Sequence, residues 1–211
     1  LIARFMAVYP EVEVHLHSTS RRVDVIGEGF DLAIRVREPP LEVTDLVMRK
    51  LDESVHRLVA SPALIARFAP PSGPADLADW PSLDFGPAHR DHVWALHHRD
   101  GMTASVRHAP RLVTDDLHML HEGALQGLGV VLLPSVAVAR DLEAGRLIDL
   151  LPDWRPRKWI VHAVFPSRRG LLPSVRLLLD FLVQGCAEQQ IHGETPASPR
   201  ATPYAFAETN D

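Results

Sequence analysis

Apolar positions along the chain switch repeatedly between helical and strand periods, with Gly and Pro at the breaks. Leu1, Ile2, Phe5, Val8 and Tyr9 share one helical face, and Pro10 ends that helix. Val12, Val14 and Leu16 then alternate with Glu13, His15 and His17, which is strand period. Thr19 or Ser20 can cap a short helix over 21–28, and Gly29 suits its C-terminal turn. Residues 30–36 (FDLAIRV) read as a buried strand. Strand, short helix and strand in so short a span predict a parallel βαβ unit with a right-handed crossover.

Residues 46–60 are mostly extended, and Ser61-Pro62 starts a helix running to Phe68. Short strands follow over 83–85 and 93–97, with Asp100-Gly101 as a hairpin turn before 103–106. A strand over 111–114 leads into a helix opened by Thr114-Asp115-Asp116, with Leu117, Leu120, His121, Ala124, Leu125 and Leu128 on one face. Gly127 and Gly129 end it. Residues 130–133 (VVLL) form the next strand, Ser135 caps a helix that Gly145 closes, and 147–150 return as a strand. An extended apolar stretch over 159–165 precedes a C-terminal helix over 173–184. Two βαβ clusters separated by extended stretches predict two α/β lobes. Periodicity leaves open which lobe receives the final helix.

Composition narrows the function classes. The chain has 211 residues and a net charge of −5, which argues against a surface that neutralises DNA phosphates with clustered Lys and Arg. The single cysteine, Cys186, cannot close an internal disulfide, which points to a reducing, cytoplasmic compartment; nothing marks it as a nucleophile. No apolar run approaches the ~20 residues that span a bilayer, so no membrane partner is expected.

Six segments in order carry a family resemblance. Residues 22–35 (RVDVIGEGFDLAIR), 58–64 (LVASPAL), 125–134 (LQGLGVVLLP), 141–147 (DLEAGRL), 162–169 (HAVFPSRR) and 179–183 (LDFLV) resemble the effector-binding domain of LysR-type transcription regulators. The resemblance implies an α/β fold of two Rossmann-like lobes joined by two crossover strands, like the type 2 periplasmic binding proteins. The crossings would lie near 55–60 and 161–166. Lobe I would comprise residues 1–60 plus 162–186, lobe II 61–161, and 187–211 a disordered tail. The C-terminal helix should return to lobe I. The family's helix-turn-helix, its linker helix and the first strand of the sensing domain are expected upstream of Leu1. DNA contact would then run only through that N-terminal part.

Small ligands of open α/β sheets bind beyond the C-terminal ends of strands, beside helix N-termini. That rule and the resemblance select the same effector-binding candidates: Ser18, Thr19, Ser20, Val36, Arg37, Thr114, Asp115, Phe165, Pro166 and Ser167. Ser18, Thr19 and Thr114 offer hydroxyls to a carboxylate or alcohol. Arg37 either pairs with an anionic effector or lies on the surface. Asp115 and Asp116 either face the cleft or stabilise a helix N-terminus. The expected effector is a small carboxylate or an aromatic metabolite, and self-association as a dimer or tetramer is implied. Phe5 and Val8 belong either to that pairing surface or to the core.

Other classes find less in the sequence. Twelve histidines include His15 with His17, His97 with His98, and His118, His121 and Glu122 on one helix. None forms a tight metal motif, the last group lacks a full ligand set, and no metal or cofactor is assigned. No G-x-S-x-G elbow or phosphate loop is present, so catalysis is not expected. A solute-binding protein of a transport system would share the fold and is the alternative to regulation.

Overall fold

The run Leu58-Val59-Ala60 sits in the middle of the larger sheet, and its alternation shows how that sheet is buried. The computed structural model of the chain describes residues 1–19, 21–41, 44–86, 91–166 and 171–193. β3 (His56–Ala60) pairs antiparallel with β8 (Val131–Pro134) on one side and β9 (Ile148–Asp149) on the other. β4 (Ser82–Phe85) meets the β8 end through a parallel bridge from Ser82 to Val130, and runs parallel to β7 (Pro110–Thr114). The order is therefore β7-β4-β8-β3-β9. Leu58 and Ala60 enter one core with Leu64, Trp80 and Trp94. Val59 enters the opposite core with Leu83, Leu120, Val131 and Leu133. Burial on both faces explains why these strands read as continuous apolar runs.

The helices of this sheet start and stop where local chemistry dictates. The Ser61 hydroxyl accepts from Leu64 N at 3.3 Å and caps α2 (Pro62–Ile65). Asp116 caps α3 (Leu117–Leu125), accepting from His118 N at 2.8 Å and Met119 N at 3.3 Å. Gly127 adopts φ 69° just after that helix, a conformation that favours glycine. β7, α3 and β8 thus form the parallel crossover that periodicity predicts. Ser135 does not cap. It is the first residue of α4 (Ser135–Glu143), and its hydroxyl instead accepts from Arg57 Nε at 3.2 Å. A ribbon ordered β10-β5-β6 (Trp154–Arg155, Val93–His98, Thr103–Arg107) lies against the Leu58 side through Trp94 and Leu96.

The smaller sheet has the order β1-β11-β2, from Ala33–Arg37, Trp159–Phe165 and Val47–Ser54, with both pairings antiparallel. α5 (Pro173–Gly193) packs on β2 and on α1 (Ile2–Val8). Ala163, Phe165, Val175 and Leu179 make this core. Phe5 is fully buried, with its ring centroid 4.9 Å from Tyr9 and 5.5 Å from Phe181, whereas Val8 is exposed.

Three expectations change here. Residues 12–17 join no ladder among the described residues: they run extended, and the outer edge of β1 is not paired with them. Leu16 is 72% exposed as a result. Residues 21–28 form turns rather than a helix. Asp24 accepts from Gly27 N at 3.1 Å, Gly29 sits at φ 73°, and Arg21 clamps Glu28 at 2.8 and 2.6 Å. The expected parallel unit at the N-terminus is therefore absent. Finally, the chain leaves the smaller sheet at Val55 and returns between Arg155 and Trp159, so β3 and residues 159–161 change sides relative to boundaries at 60/61 and 161/162. α5 continues to Gly193, past the expected start of the tail at 187, and 194–211 lie outside the described residues.

Gly129 gives a direct test of the larger sheet. A Cβ there would sit 2.8 Å from Ser82 Cα and carbonyl carbon and 2.9 Å from Pro81 O, all backbone that cannot swing away. Gly129→Ala should lower the free energy of unfolding by about 1–3 kcal/mol. Gly73→Ala, where a Cβ meets nothing within 4 Å, should stay within about 0.5 kcal/mol of the parent in the same urea titration.

Candidate functional site

A cleft of about 1620 Å³ opens between the two sheets. Ser18, Thr19, Val36 and Arg37 line one wall; Trp94 of the ribbon, Asp115 between β7 and α3, and Leu132 of β8 line the other; His56 and Trp159 lie where the chain crosses. Five of the residues selected from sequence, Ser18, Thr19, Val36, Arg37 and Asp115, are thus brought together. Thr114, Phe165 and Pro166 are not among the lining residues. The Thr114 hydroxyl is turned to accept from Asp116 N at 3.1 Å, and Phe165 is 3% exposed in the smaller core. Ser20 and Ser167 lie outside the described residues.

Arg37 stands in this wall as a cation. Arg37 Nη1 donates to the carbonyl of Val36 at 2.8 Å, and no carboxylate pairs with it among the described residues. Arg21, by contrast, is held by Glu28, whose carboxyl the Arg21 hydrogen bond, helped by Asp24 N–H, pulls down to about 2. Asp116 is engaged as the α3 cap, so its charge serves the helix N-terminus as expected.

Two buried polar groups in the wall were missed from sequence. His56 is 5% exposed, its ring centroid lies 4.4 Å from Trp159, and its Nδ1 has no hydrogen-bond partner among the described residues. Burial lowers its pKa to about 4, against a weaker opposing hydrogen bond to the Ser54 backbone. Trp94 is 2% exposed and stacks on His108 at 3.9 Å, and its Nε1 likewise lacks a partner among the described residues. Leaving such an atom unpaired costs about 1–3 kcal/mol, so both residues hold their places in the wall against a polar penalty. The one signal available was His56 itself, a polar residue that with Arg57 precedes the apolar run Leu58-Val59-Ala60.

Two nucleophile-type side chains, Ser82 and Cys186, are both buried. Ser82 Oγ bonds His108 Nδ1 at 2.9 Å, but Ser82 has no exposed surface and cannot meet a dissolved substrate. Burial pushes the Cys186 thiol up, with Asp52 adding to the shift, which works against the thiolate.

The His56 environment sets a pH dependence. Its folded pKa is depressed, so as pH falls from 6.5 the unfolded chain takes a proton that the folded chain refuses. Stability is fully present above 6.5 and is lost as pH falls towards about 4. His162, also lowered by burial, acts in the same direction. Between pH 7 and pH 5 the urea-derived unfolding free energy should fall by about 2 kcal/mol on account of His56. His56→Gln should remove most of that slope; an equal slope in the variant would contradict the assignment.

Comparison with known proteins places this architecture. The family described as the LysR substrate binding domain matches residues 1–187. The chain is similar to the HTH-type transcriptional regulator DmlR of Escherichia coli, with 33% identity over 85% of this chain and 58% of the relative. It is also similar to the HTH-type transcriptional regulator PtxR of Pseudomonas aeruginosa, with 31% identity over 85% of this chain and 57% of the relative. Among solved structures, the full-length Vibrio cholerae virulence activator AphB superposes with a TM-score of 0.75 at 25% identity, covering 87% of this chain and 62% of that one. CrgA, a LysR-type transcriptional regulator of Neisseria meningitidis, superposes with a TM-score of 0.74 at 27% identity, covering 88% and 62%. The chain therefore spans less than two thirds of the length of these relatives. Sequence and fold together assign it: this chain belongs to the LysR substrate binding domain family.

Proposed function

We propose that the chain is the ligand-sensing module of a LysR-type transcription regulator, and that a small anionic effector binds between the lobes. The observation that carries this is the composition of the cleft wall. Arg37, which has no carboxylate partner among the described residues, shares it with two buried polar groups, His56 and Trp94, whose Nδ1 and Nε1 lack hydrogen-bond partners there. Arg37 supplies charge to a carboxylate, Ser18 and Thr19 supply hydroxyls, and Trp94 and Trp159 supply apolar walls. This chemistry fits a small carboxylate, aromatic ones included. The chain passes between the lobes at Val55 and again between Arg155 and Trp159. A ligand that contacts both favours one relative arrangement and shifts its population.

Lobe I then consists of the smaller sheet with α1 and α5, and lobe II of the larger sheet with its ribbon. Relatives named as HTH-type transcriptional regulators support the further reading that the module dimerises or tetramerises and acts on DNA through a separate helix-turn-helix domain in a cytoplasmic protein. Those names favour regulation over transport. They also name no enzyme. No helix among the described residues is long and apolar enough to cross a membrane. Exposed Val8 remains available for a pairing surface, whereas buried Phe5 does not.

A thermal-shift screen of small carboxylates and aromatic metabolites tests the proposal. A hit should raise Tm, and its affinity should fall about tenfold or more in Arg37→Ala, as expected for loss of a charged hydrogen bond. Thr19→Ala should weaken it less. Hits indifferent to both substitutions would place the ligand elsewhere.

A further inference from the structure

The first two turns of α3 carry a cluster that effector binding does not use. His118, His121 and Glu122 each offer one ligand atom, and these atoms lie within 4.8 Å of one another. Their spacing stacks them on one helical face. Two imidazoles and a carboxylate on adjacent turns need only side-chain rotation to converge on one ion.

Lobe II also holds one of these ligands in place from behind. His121 Nε2 lies 2.7 Å from Asp141 Oδ2. Asp141 is 4% exposed, and its other oxygen accepts from Arg146 Nε at 2.7 Å, so α4 holds this carboxylate rigidly. An imidazole that gives one ring N–H to a buried carboxylate presents the other nitrogen as a lone pair in a fixed direction. Metal-ligating histidines are held in this way. Nothing in the sequence spacing of 118, 121 and 122 announces Asp141, which the fold brings in from 20 residues away.

We propose that His118, His121 through Nδ1, and Glu122 bind one divalent transition-metal ion of the Zn²⁺ class, with Asp141 as the positioning residue for His121. A mixed imidazole–carboxylate set suits Zn²⁺, Ni²⁺ or Cu²⁺, whereas Ca²⁺ and Mg²⁺ prefer all-oxygen sites. Three protein ligands leave a fourth position for water or for a ligand's carboxylate. His118 also lines the cleft, so the ion sits at its rim. The site stands on its own residues and holds whether or not the cleft takes an effector.

Metal-stripped protein titrated with ZnCl₂ by calorimetry tests this, with Co²⁺ absorption reporting coordination geometry. The expected result is one equivalent bound with Kd below about 10 µM, together with the visible bands of tetrahedral cobalt. His118→Ala and Glu122→Ala should each weaken binding at least tenfold without changing the metal-free Tm. Asp141→Asn should weaken it about 10- to 100-fold, the usual effect of removing a carboxylate behind a ligating histidine. If Asp141→Asn does not fold, the His118 and Glu122 variants decide the matter alone. His15→Ala with His17→Ala, at the other close exposed pair, should leave binding unchanged. Binding weaker than about 10 µM, or binding that survives both His118→Ala and Glu122→Ala, would overturn the proposal.

Discussion

Two backbone crossings make this chain a two-lobed molecule, and one aromatic contact ties them together. β2 ends at Ser54 and β3 begins at His56, with only Val55 between the two sheets. The return strand, β11, begins at Trp159, directly opposite Ser54 in register. The His56 ring packs on Trp159 with centroids 4.4 Å apart, so the outgoing and returning chains are pinned at one point. The placement has a cost, since it buries an imidazole whose Nδ1 lacks a partner among the described residues. It also fixes where the cleft lies, because both residues line it.

The lobes on either side of that pin are built unequally. The larger sheet is buried on both faces by two separate clusters, and rigid backbone contacts such as Gly129 against Ser82 lock its strands together. The smaller sheet has a single cluster, and its edge strand β1 leaves Ile34 and Val36 exposed toward the cleft. By area alone, a sheet covered on one face gains less from burial than one covered on two. The larger sheet and its ribbon carry Trp94, Asp115 and the α3 cluster, while Ser18, Thr19 and Arg37 line the opposite wall.

Much of this could be read in the sequence wherever local signals agreed with tertiary partners. Ser61-Pro62, the Asp116 cap, Gly127 and the apolar run 131–133 all did what their residue types predict. The two-lobe fold followed from six ordered segments. Failures came where an outcome depends on a distant partner. Val12, Val14 and Leu16 alternate like a strand, but alternation sets which face is apolar and does not decide whether the segment pairs with a neighbouring edge. Ser135 sits after a strand like a cap, yet Arg57, 78 residues earlier, claims its hydroxyl. Thr114 was chosen for a hydroxyl that the next turn uses. His56, Trp94 and Asp141 were missed because their meaning lies in burial and in neighbours far along the chain.

The central claim is that a ligand held in this cleft changes the angle between the lobes about the His56–Trp159 pin. A spin-label distance measurement tests it most directly. Val8, exposed on α1, and Met102, exposed in the β5–β6 turn, lie in different lobes and outside the cleft. With Cys186 replaced by Ser and both positions converted to labelled cysteine, a compound bound in the cleft should shift and narrow the distance distribution. An unchanged distribution, with the compound shown to be bound, would contradict the account.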